Sequence, residues 1–194
     1  MRVISGKCRG TNLISAEGMN TRPTIGRIKE TLFNIIALDI PQCMFLDLFS
    51  GSGAIGIESL SRGANSAVFV EKDKKALACI AQNLEKTRLK DQAVIYDCDV
   101  ATALDKLKNN QQKFDIIFMD PPYAMANIEN ILEKVVDNDL IDENGYIILE
   151  RSTNTIVSLP YNLVLWKEKT YTTTTLSFLR KEKNSENRNL SREF

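Results

Sequence analysis

Two short stretches of the chain have residue types and spacings suited to chemistry. The first, DLFSGSGAIG, runs from Asp47 to Gly56 and contains the spacing G-x-G-x-x-G. Such glycine turns let the backbone approach a nucleoside-containing ligand closely, and several ligand classes use them. The second, Asp120-Pro-Pro-Tyr123, combines a carboxylate, two rigid prolines and an aromatic ring. The surrounding elements must decide which ligand each stretch serves.

The composition excludes several classes of chemistry. The chain has no histidine, which removes Ser-His-Asp and Cys-His catalysis and histidine-bound metals. Its four cysteines are scattered without a C-x-x-C pair, so we predict neither a metal site nor a disulfide framework. With no long apolar run and no apolar N-terminal leader, we expect a cytoplasmic protein without membrane contact.

Charge is distributed unevenly along a chain whose net charge is zero. Residues 1–30 carry six basic and two acidic side chains. The segment from Arg180 to the end carries five basic and three acidic side chains. A basic arm on an acidic body suits local contact with nucleic-acid phosphates, but charge alone fits a solvated surface equally well.

Hydrophobic periodicity predicts an α/β fold with a doubly wound, mostly parallel sheet of seven strands. Amphipathic helices alternate with short apolar strands, a pattern typical of parallel strands whose two faces are both covered. Two further β-prone segments at the C-terminal end have no helix between them, which predicts an antiparallel edge pair. The five predicted parallel strands are 44–49, 66–71, 93–97, 114–120 and 145–150.

The periodicity also divides the chain into three parts. Residues 1–40 are predicted to form an appendage, a small hairpin followed by a helix with Thr24 as its N-cap. Residues 41–181 would form the main domain, and the polar segment 182–194 is predicted to be disordered.

Acidic residues follow four of the predicted parallel strands, where a doubly wound sheet binds its ligands. They are Asp47, Glu71, Asp97 with Asp99, and Asp120. Carboxylates would repel the pyrophosphate of a dinucleotide, which makes a nicotinamide oxidoreductase the weakest hypothesis. S-adenosylmethionine fits better, because it offers a sulfonium, an ammonium, a ribose diol and an adenine amino group. We therefore predict S-adenosylmethionine as the cofactor.

Each cofactor residue then has an expected role. Gly51 and Gly53 would let the backbone approach the cofactor, and Asp47 would hold its ammonium side. Glu71 would accept the ribose hydroxyls and Asp99 the adenine amino group. Glu71 could equally be a surface acid at a strand end, and Asp99 an N-cap of the next helix. The predicted cofactor set also includes Ser50, Lys72 and Val100.

The Asp-Pro-Pro-Tyr turn is suited to methylating an exocyclic amino group on a base. Such a nitrogen is a poor nucleophile, so an enzyme must hold it close to the methyl group and accept its hydrogens. Asp120 and the carbonyl of Pro121 are the predicted acceptors, Pro122 stiffens the turn, and Tyr123 would stack on an extruded base. The plain alternative is a proline turn that ends a strand, with Tyr123 in the core.

These residues resemble the class I S-adenosylmethionine-dependent methyltransferases that carry an (Asp/Asn)-Pro-Pro-(Tyr/Phe) motif. The N-terminal VISGKCRG, TRPT and RIKETLFNII are similar to a narrower family, the bacterial enzymes that methylate a guanine N2 amino group in 16S ribosomal RNA. The resemblance implies that Arg9, Arg22, Thr24 and Arg27 face the RNA. It also implies a substrate within the 30S subunit or an assembly intermediate. The chain departs from the family pattern at residues 25–26.

Guanine-N2 methylation of 16S ribosomal RNA is the leading hypothesis. DNA adenine-N6 methylation uses the same motif, but the segment before the first strand leaves little room for a DNA-recognition domain. Methylation of a protein glutamine is weaker, because those enzymes have Asn at the position of Asp120. A cofactor- or RNA-binding protein without catalysis is the alternative from another class, and Asp120 with Tyr123 disfavours it.

Overall fold

The computed structural model describes residues 1–15, 23–122, 125 and 127–182, and only the backbone of residues 23–25. Within these ranges, helices and strands alternate as the periodicity predicts. The helices are α1 (Pro23–Ile35), α2 (Ala54–Ser61), α3 (Lys74–Thr87), α4 (Val100–Asn109) and α5 (Ile128–Asp137). The strands are β1 (Met44–Asp47), β2 (Ser66–Glu71), β3 (Ala93–Asp97), β4 (Phe114–Met119), β5 (Ile141–Ser152), β6 (Leu163–Thr170) and β7 (Thr174–Lys181).

The described strands form one sheet of seven in the order β3-β2-β1-β4-β5-β7-β6. Strands β1 to β5 pair in parallel, and β7 is antiparallel to both β5 and β6. The predicted mostly parallel sheet with an antiparallel C-terminal edge pair is confirmed. The strand order reverses between β1 and β4, so the chain leaves these neighbours in opposite directions. That reversal opens a crevice at their carboxyl ends.

Each face of the sheet carries its own hydrophobic core. Phe45 of β1 packs with residues of α1, α2 and α3, whereas its neighbour Leu46 packs with residues of α4 and α5. Successive strand residues point to opposite faces, so an almost wholly apolar strand supplies both cores. The central strands are therefore held on both sides, and their carboxyl ends are fixed relative to one another.

Three elements, β1, β5 and α1, differ from the sequence prediction in ways that have a physical reason or affect the site. β1 ends at Asp47 because the glycine turn starts there, although the Leu48 amide still donates to the Phe118 carbonyl at 3.0 Å. β5 is longer than predicted and has an irregular register against β4. α1 begins at Pro23, so Thr24 lies in its first turn instead of at the N-cap. Proline is favoured at the first helical position, where its missing N–H is not needed.

The predicted N-terminal hairpin is present as one isolated antiparallel bridge between Arg2 and Asn12. Its backbone is held by two residues of α2, Ser61 and the fully buried Glu58. The Glu58 carboxylate accepts from the amides of Ile4 at 2.8 Å and Ser5 at 2.9 Å. It is also paired with Lys29 of α1 at 3.0 Å. One side chain thus joins the hairpin, α1 and α2.

The charges in this cluster are buried and mutually compensated. Burial raises the pKa of Glu58, but the Lys29 charge and the Ile4 amide outweigh it, so the pKa is lowered. Burial dominates at Lys29 and lowers the pKa of its ammonium despite Glu58. Removing one partner would leave a buried charge uncompensated, which is strongly destabilising.

Three further predictions concern the C-terminal tail, the division into domains and membrane contact. The predicted disordered tail falls on residues that, apart from Glu182, lie outside the described ranges. The division into an appendage at 1–40 and a domain at 41–181 stays a prediction. Hairpin and α1 residues share one hydrophobic core with β1 and β2. Among the described helices, none has the length and apolar character of a membrane span.

Candidate functional site

A cavity of about 800 Å³ lies at the carboxyl ends of β1, β2, β4 and β5. Its volume is within the range of pockets that hold nucleoside-sized ligands. Among the described residues, five acids line it: Asp47, Glu71, Asp99, Asp120 and Glu150. Three lysines line it as well: Lys29, Lys72 and Lys134. The acids predicted to lie at the carboxyl ends of the parallel strands thus meet in one cavity. The exception is Asp97, which is paired with Lys74 at the surface.

The three glycines of the turn have different surroundings. Gly51 lines the cavity and has a left-handed backbone (φ 51°). Gly53 also has positive φ (77°), but it is not among the described residues that line the cavity. Its Cα faces the side chains of Ile57, Phe69 and Ile80. A Cβ at Gly56 would lie 2.3 Å from the Phe69 ring. Gly53 and Gly56 therefore allow close packing of α2 on β2.

Asp47 has the most informative electrostatic environment in the cavity. Its side chain is 1% exposed, and Oδ2 accepts from the Gly56 amide at 3.1 Å. The other oxygen, Oδ1, is buried without a hydrogen-bond partner among the described residues. Burial raises the pKa of Asp47 to about 7, and the nearby Asp120 and Glu71 charges add to the rise. An unpartnered buried acceptor at a cavity wall calls for a donor from a ligand.

Glu71 is occupied mainly in shaping the loop around it. Oε2 accepts from the Gly51 amide at 2.9 Å, and Oε1 accepts from the amides of Lys72 (2.8 Å) and Asp73 (2.9 Å). A carboxylate has about four acceptor positions, two on each oxygen. The three bonds occupy both positions on Oε1 and one on Oε2, so about one acceptor position stays free, on Oε2. Glu71 therefore has room for one direct hydroxyl contact and not for the two expected from the sequence.

The remaining members of the predicted cofactor set also make bonds of their own. The Ser50 hydroxyl donates to the Asp47 carbonyl and accepts from the Val70 amide, which ties β1 to β2. Asp99 caps α4, with both oxygens accepting from Thr102, and these bonds lower the pKa of Asp99. The hypothesis that Asp99 caps the next helix is thus confirmed, while its exposed side chain still lines the cavity. Lys72 and Val100 line the cavity too.

Asp120 follows β4 directly and faces the same cavity. Its side chain is exposed to the cavity, and partial desolvation by the surrounding walls raises the pKa of Asp120 to about 6. Pro121 is buried and Pro122 is exposed, and both line the cavity. The Pro122 carbonyl accepts from the Met125 amide at 2.8 Å, which closes the turn. Tyr123, predicted to stack on a base, lies outside the described residues.

Glu150 is a site residue that the sequence reasoning missed. It lies in β5 next to the end of β4, lines the cavity, and has a pKa raised to about 8 by burial and by the Asp120 charge. The signal for it was available, since an acid closing the apolar run GYIILE follows the rule that found the other four. Two asparagines from the start of α5, Asn127 and Asn130, were also missed.

The predicted RNA-facing residues are not all beside the cavity. Arg9 is exposed near the tip of the hairpin, and the neighbouring Lys7 amide donates to the carbonyl of Ser61 at the end of α2. Because α2 starts at the cavity and rises about 1.5 Å per residue, the hairpin contacts α2 roughly 10 Å along the helix from its first turn. Arg27 is exposed on α1. Arg22 and the side chain of Thr24 lie outside the described residues.

The cavity suits a cationic ligand with several hydrogen-bond donors better than a phosphate. Its acids outnumber its lysines, and the unpartnered Asp47 Oδ1 is placed to accept from an ammonium group. Among the described residues, no group of His, Cys, Asp and Glu is arranged to bind a metal. Fold and site together define a Rossmann-like methyltransferase whose cofactor is S-adenosylmethionine.

Comparison with known proteins gives the family. The chain belongs to the family described as Conserved hypothetical protein 95, whose sequence model matches residues 1–180. The ribosomal RNA small subunit methyltransferase D of Haemophilus influenzae is 37% identical over 175 residues, which cover 88% of each chain. The Escherichia coli protein of the same name is 32% identical over 170 residues, covering 87% of this chain and 84% of the relative.

Solved structures agree with this assignment. A candidate methyltransferase from Escherichia coli superimposes with a TM-score of 0.82 at 30% sequence identity, covering 94% of this chain and 98% of that one. A candidate methylase from Haemophilus influenzae gives a TM-score of 0.76 at 31% identity, with the same coverage.

Proposed function

We propose that this protein transfers a methyl group from S-adenosylmethionine to the exocyclic N2 amino group of a guanine in 16S ribosomal RNA. The observation that carries the proposal is the position of Asp120 and Pro121 in the same cavity as the unpartnered Asp47 carboxylate oxygen. Asp120 and Pro121 suit an amino group on a base, and the Asp47 oxygen suits the ammonium group of the cofactor. The names of the relatives from Haemophilus influenzae and Escherichia coli support ribosomal RNA as the substrate.

The cofactor supplies an electrophilic methyl group on a sulfonium, and the chain holds it in place. Asp47 Oδ1 would accept from the ammonium group, Glu71 Oε2 would accept from one ribose hydroxyl, and Asp99 would accept from the adenine amino group. Gly51 and Ser50 bring the turn backbone close to the cofactor, while Gly53 acts by allowing that turn to form. Lys72 and Val100 complete the walls.

Asp120 and Pro121 position the nucleophile. The Asp120 carboxylate and the Pro121 carbonyl each accept one hydrogen of the amino group, which directs the nitrogen lone pair towards the methyl group. The cofactor would supply the methyl group and keep the sulfur as its leaving group, and the methylated amino group would then have one proton to lose. Asp120, ionised near neutral pH, is the acceptor for that proton. Pro122 keeps the turn rigid, and Tyr123 stacks on the base.

The RNA contacts extend beyond the cavity. Arg22, Thr24 and Arg27 belong to the segment that precedes or opens α1, while Arg9 lies near the tip of the hairpin, which contacts the far end of α2. Contacts that far apart suit a folded substrate, which fits 16S RNA within the 30S subunit or an assembly intermediate. The appendage of residues 1–40 is then the RNA-facing part of a cytoplasmic enzyme.

The test is transfer of labelled methyl to 30S particles lacking the modification, naked 16S RNA and duplex DNA, followed by digestion to nucleosides. Label in N2-methylguanosine from RNA is expected. Label only in N6-methyladenine would replace the proposed substrate with DNA. No label from any substrate, despite cofactor binding, would contradict the proposed activity.

A matched pair of variants tests the role of Asp120. Asp120→Ala should lower single-turnover methylation by roughly 100-fold or more, because the amino group loses an acceptor present in the transition state. Its dissociation constant for S-adenosylmethionine should stay within about threefold of the wild type. Asp91→Ala, at an exposed acid outside the cavity, is the control. Normal turnover in Asp120→Ala would remove the assigned role.

A further inference from the structure

Glu150 lies beside Asp120 at the edge of the sheet. Met119 of β4 is in register with Leu149 of β5, so the next residues of the two parallel strands are Asp120 and Glu150. Neighbouring strands are about 4.8 Å apart, and both side chains line the same cavity. Neither carboxyl group has a hydrogen bond or ion pair to the described residues. The site therefore presents two adjacent carboxyl groups to whatever enters it.

The two carboxyl groups differ in their affinity for a proton. Desolvation raises the pKa of Asp120 to about 6, whereas desolvation and the Asp120 charge raise the pKa of Glu150 to about 8. The other charged groups around the cavity are Asp47, Glu71, Asp99, Lys29, Lys72 and Lys134. Because two adjacent carboxylates repel each other, near neutral pH the pair holds one proton, and the Asp120 charge favours its position on Glu150.

A pair with this single proton offers two acceptors and one donor. The Asp120 carboxylate accepts, the Glu150 carbonyl oxygen accepts, and the Glu150 hydroxyl donates. The base-pairing edge of guanine has the complementary order, with N2–H and N1–H as donors and O6 as an acceptor. A neutral carboxyl group pairs with N1–H and O6 through two parallel hydrogen bonds, while its neighbour accepts from N2–H.

We propose that Glu150 is the residue that selects guanine, by pairing as a neutral carboxyl group with N1–H and O6 while Asp120 holds the N2 amino group. This inference rests on the proposed guanine-N2 methylation and names the protein group that makes it specific. Adenine has no partner for the Glu150 carbonyl oxygen. Cytosine has acceptors at both N3 and O2, so that oxygen would face an acceptor. Only guanine uses every group that the pair presents.

Two substitutions distinguish a neutral, base-pairing Glu150 carboxyl group from an ionised Glu150 that would act as a proton acceptor. Glu150→Gln keeps one acceptor and one donor in the same planar arrangement, so it should retain at least roughly a tenth of the single-turnover rate at neutral pH. Glu150→Leu keeps the size but offers neither, leaving O6 and N1–H unpaired. We expect it to lose about 100-fold or more. Glu133→Gln, at an exposed α5 acid outside the cavity, is the control.

The pH dependence provides a readout that a purely structural role would not change. Between about pH 7 and pH 9 the wild type should slow as Glu150 ionises and repels O6, whereas Glu150→Gln should not show this decline. The ratio of the two rates removes effects common to both proteins, including titration of the RNA. All variants should bind S-adenosylmethionine within about threefold of the wild type, which excludes misfolding.

The outcomes separate this inference from the proposed function. If the wild type forms N2-methylguanosine and Glu150→Leu matches its rate, Glu150 does not read the base, while the proposed function stands. If Glu150→Gln loses as much as Glu150→Leu, Glu150 acts as a carboxylate and the neutral pairing is wrong. If the wild type forms no N2-methylguanosine, the proposed function fails and this inference fails with it.

Discussion

The buried carboxyl group of Asp47 should make the cofactor-free protein less stable as the pH rises. Its pKa is raised from 3.8 to about 7, chiefly by burial. Below about pH 4 the carboxyl is protonated in both the folded and unfolded states, so it imposes no penalty. Between about pH 4 and pH 7 only the unfolded state ionises readily, and the free energy of unfolding falls. Above the folded-state pKa the loss is complete, at roughly 4 kcal/mol.

Asp47→Asn removes this penalty without changing the size of the side chain. The amide oxygen can still accept from Gly56, as Oδ2 does at 3.1 Å. We expect variant and wild type to have similar free energies of unfolding near pH 4, whereas near pH 8.5 the variant should be more stable by roughly 2–4 kcal/mol. Urea denaturation followed by circular dichroism measures both values, with the exposed Asp91→Asn as the control.

The same substitution should weaken cofactor binding while it stabilises the protein. The ionised Asp47 accepts from the cofactor ammonium in the proposed site, so Asp47→Asn should raise the dissociation constant about 10- to 100-fold near pH 8. Wild-type affinity should increase from about pH 6 to pH 8, and variant affinity should not. A stability difference that is constant with pH, or a variant that binds equally well by calorimetry, would refute the reasoning.

Three further substitutions test how the site is built. Glu71→Ala removes the acceptor of three backbone amides and should raise the cofactor dissociation constant at least about tenfold; an unchanged constant by calorimetry would end its assignment. Gly56→Ala brings a Cβ to 2.3 Å from the Phe69 ring and should cost roughly 3 kcal/mol in urea denaturation; a stability within about 0.5 kcal/mol would show that the ring moves aside. Glu58→Gln leaves the buried Lys29 charge without its partner and should cost roughly 3–5 kcal/mol, which a thermal melt equal to the wild type would contradict.

Much of the fold was predictable because its signals are local. Short apolar strands alternating with amphipathic helices specify parallel pairing with two covered faces, and the structure has that sheet. The carboxyl ends of parallel strands meet at one edge, so the acids that follow the strands had to converge there. Asp47, Glu71, Asp99 and Asp120 do so.

Other features depend on which elements become neighbours. Gly53 matches the glycine pattern as well as Gly51 does, but α2 and β2 surround it, so it packs instead of lining the cavity. Arg9 is close in sequence to cavity-lining residues of the N-terminus, yet Glu58 and Ser61 hold its hairpin along α2. Neither outcome can be read from spacing, because each follows from contacts between distant parts of the chain.

The sequence alone determined the sheet, the acidic strand ends and a turn suited to amine methylation, since each arises from residues close along the chain. The tertiary structure decided how these groups interact. It buried Asp47 with one oxygen unpartnered, and by placing β5 next to β4 it set Glu150 beside Asp120. Desolvation and repulsion between neighbouring charges depend on distance in space and not along the chain. The proton that the carboxyl pair shares is therefore a property of the folded protein.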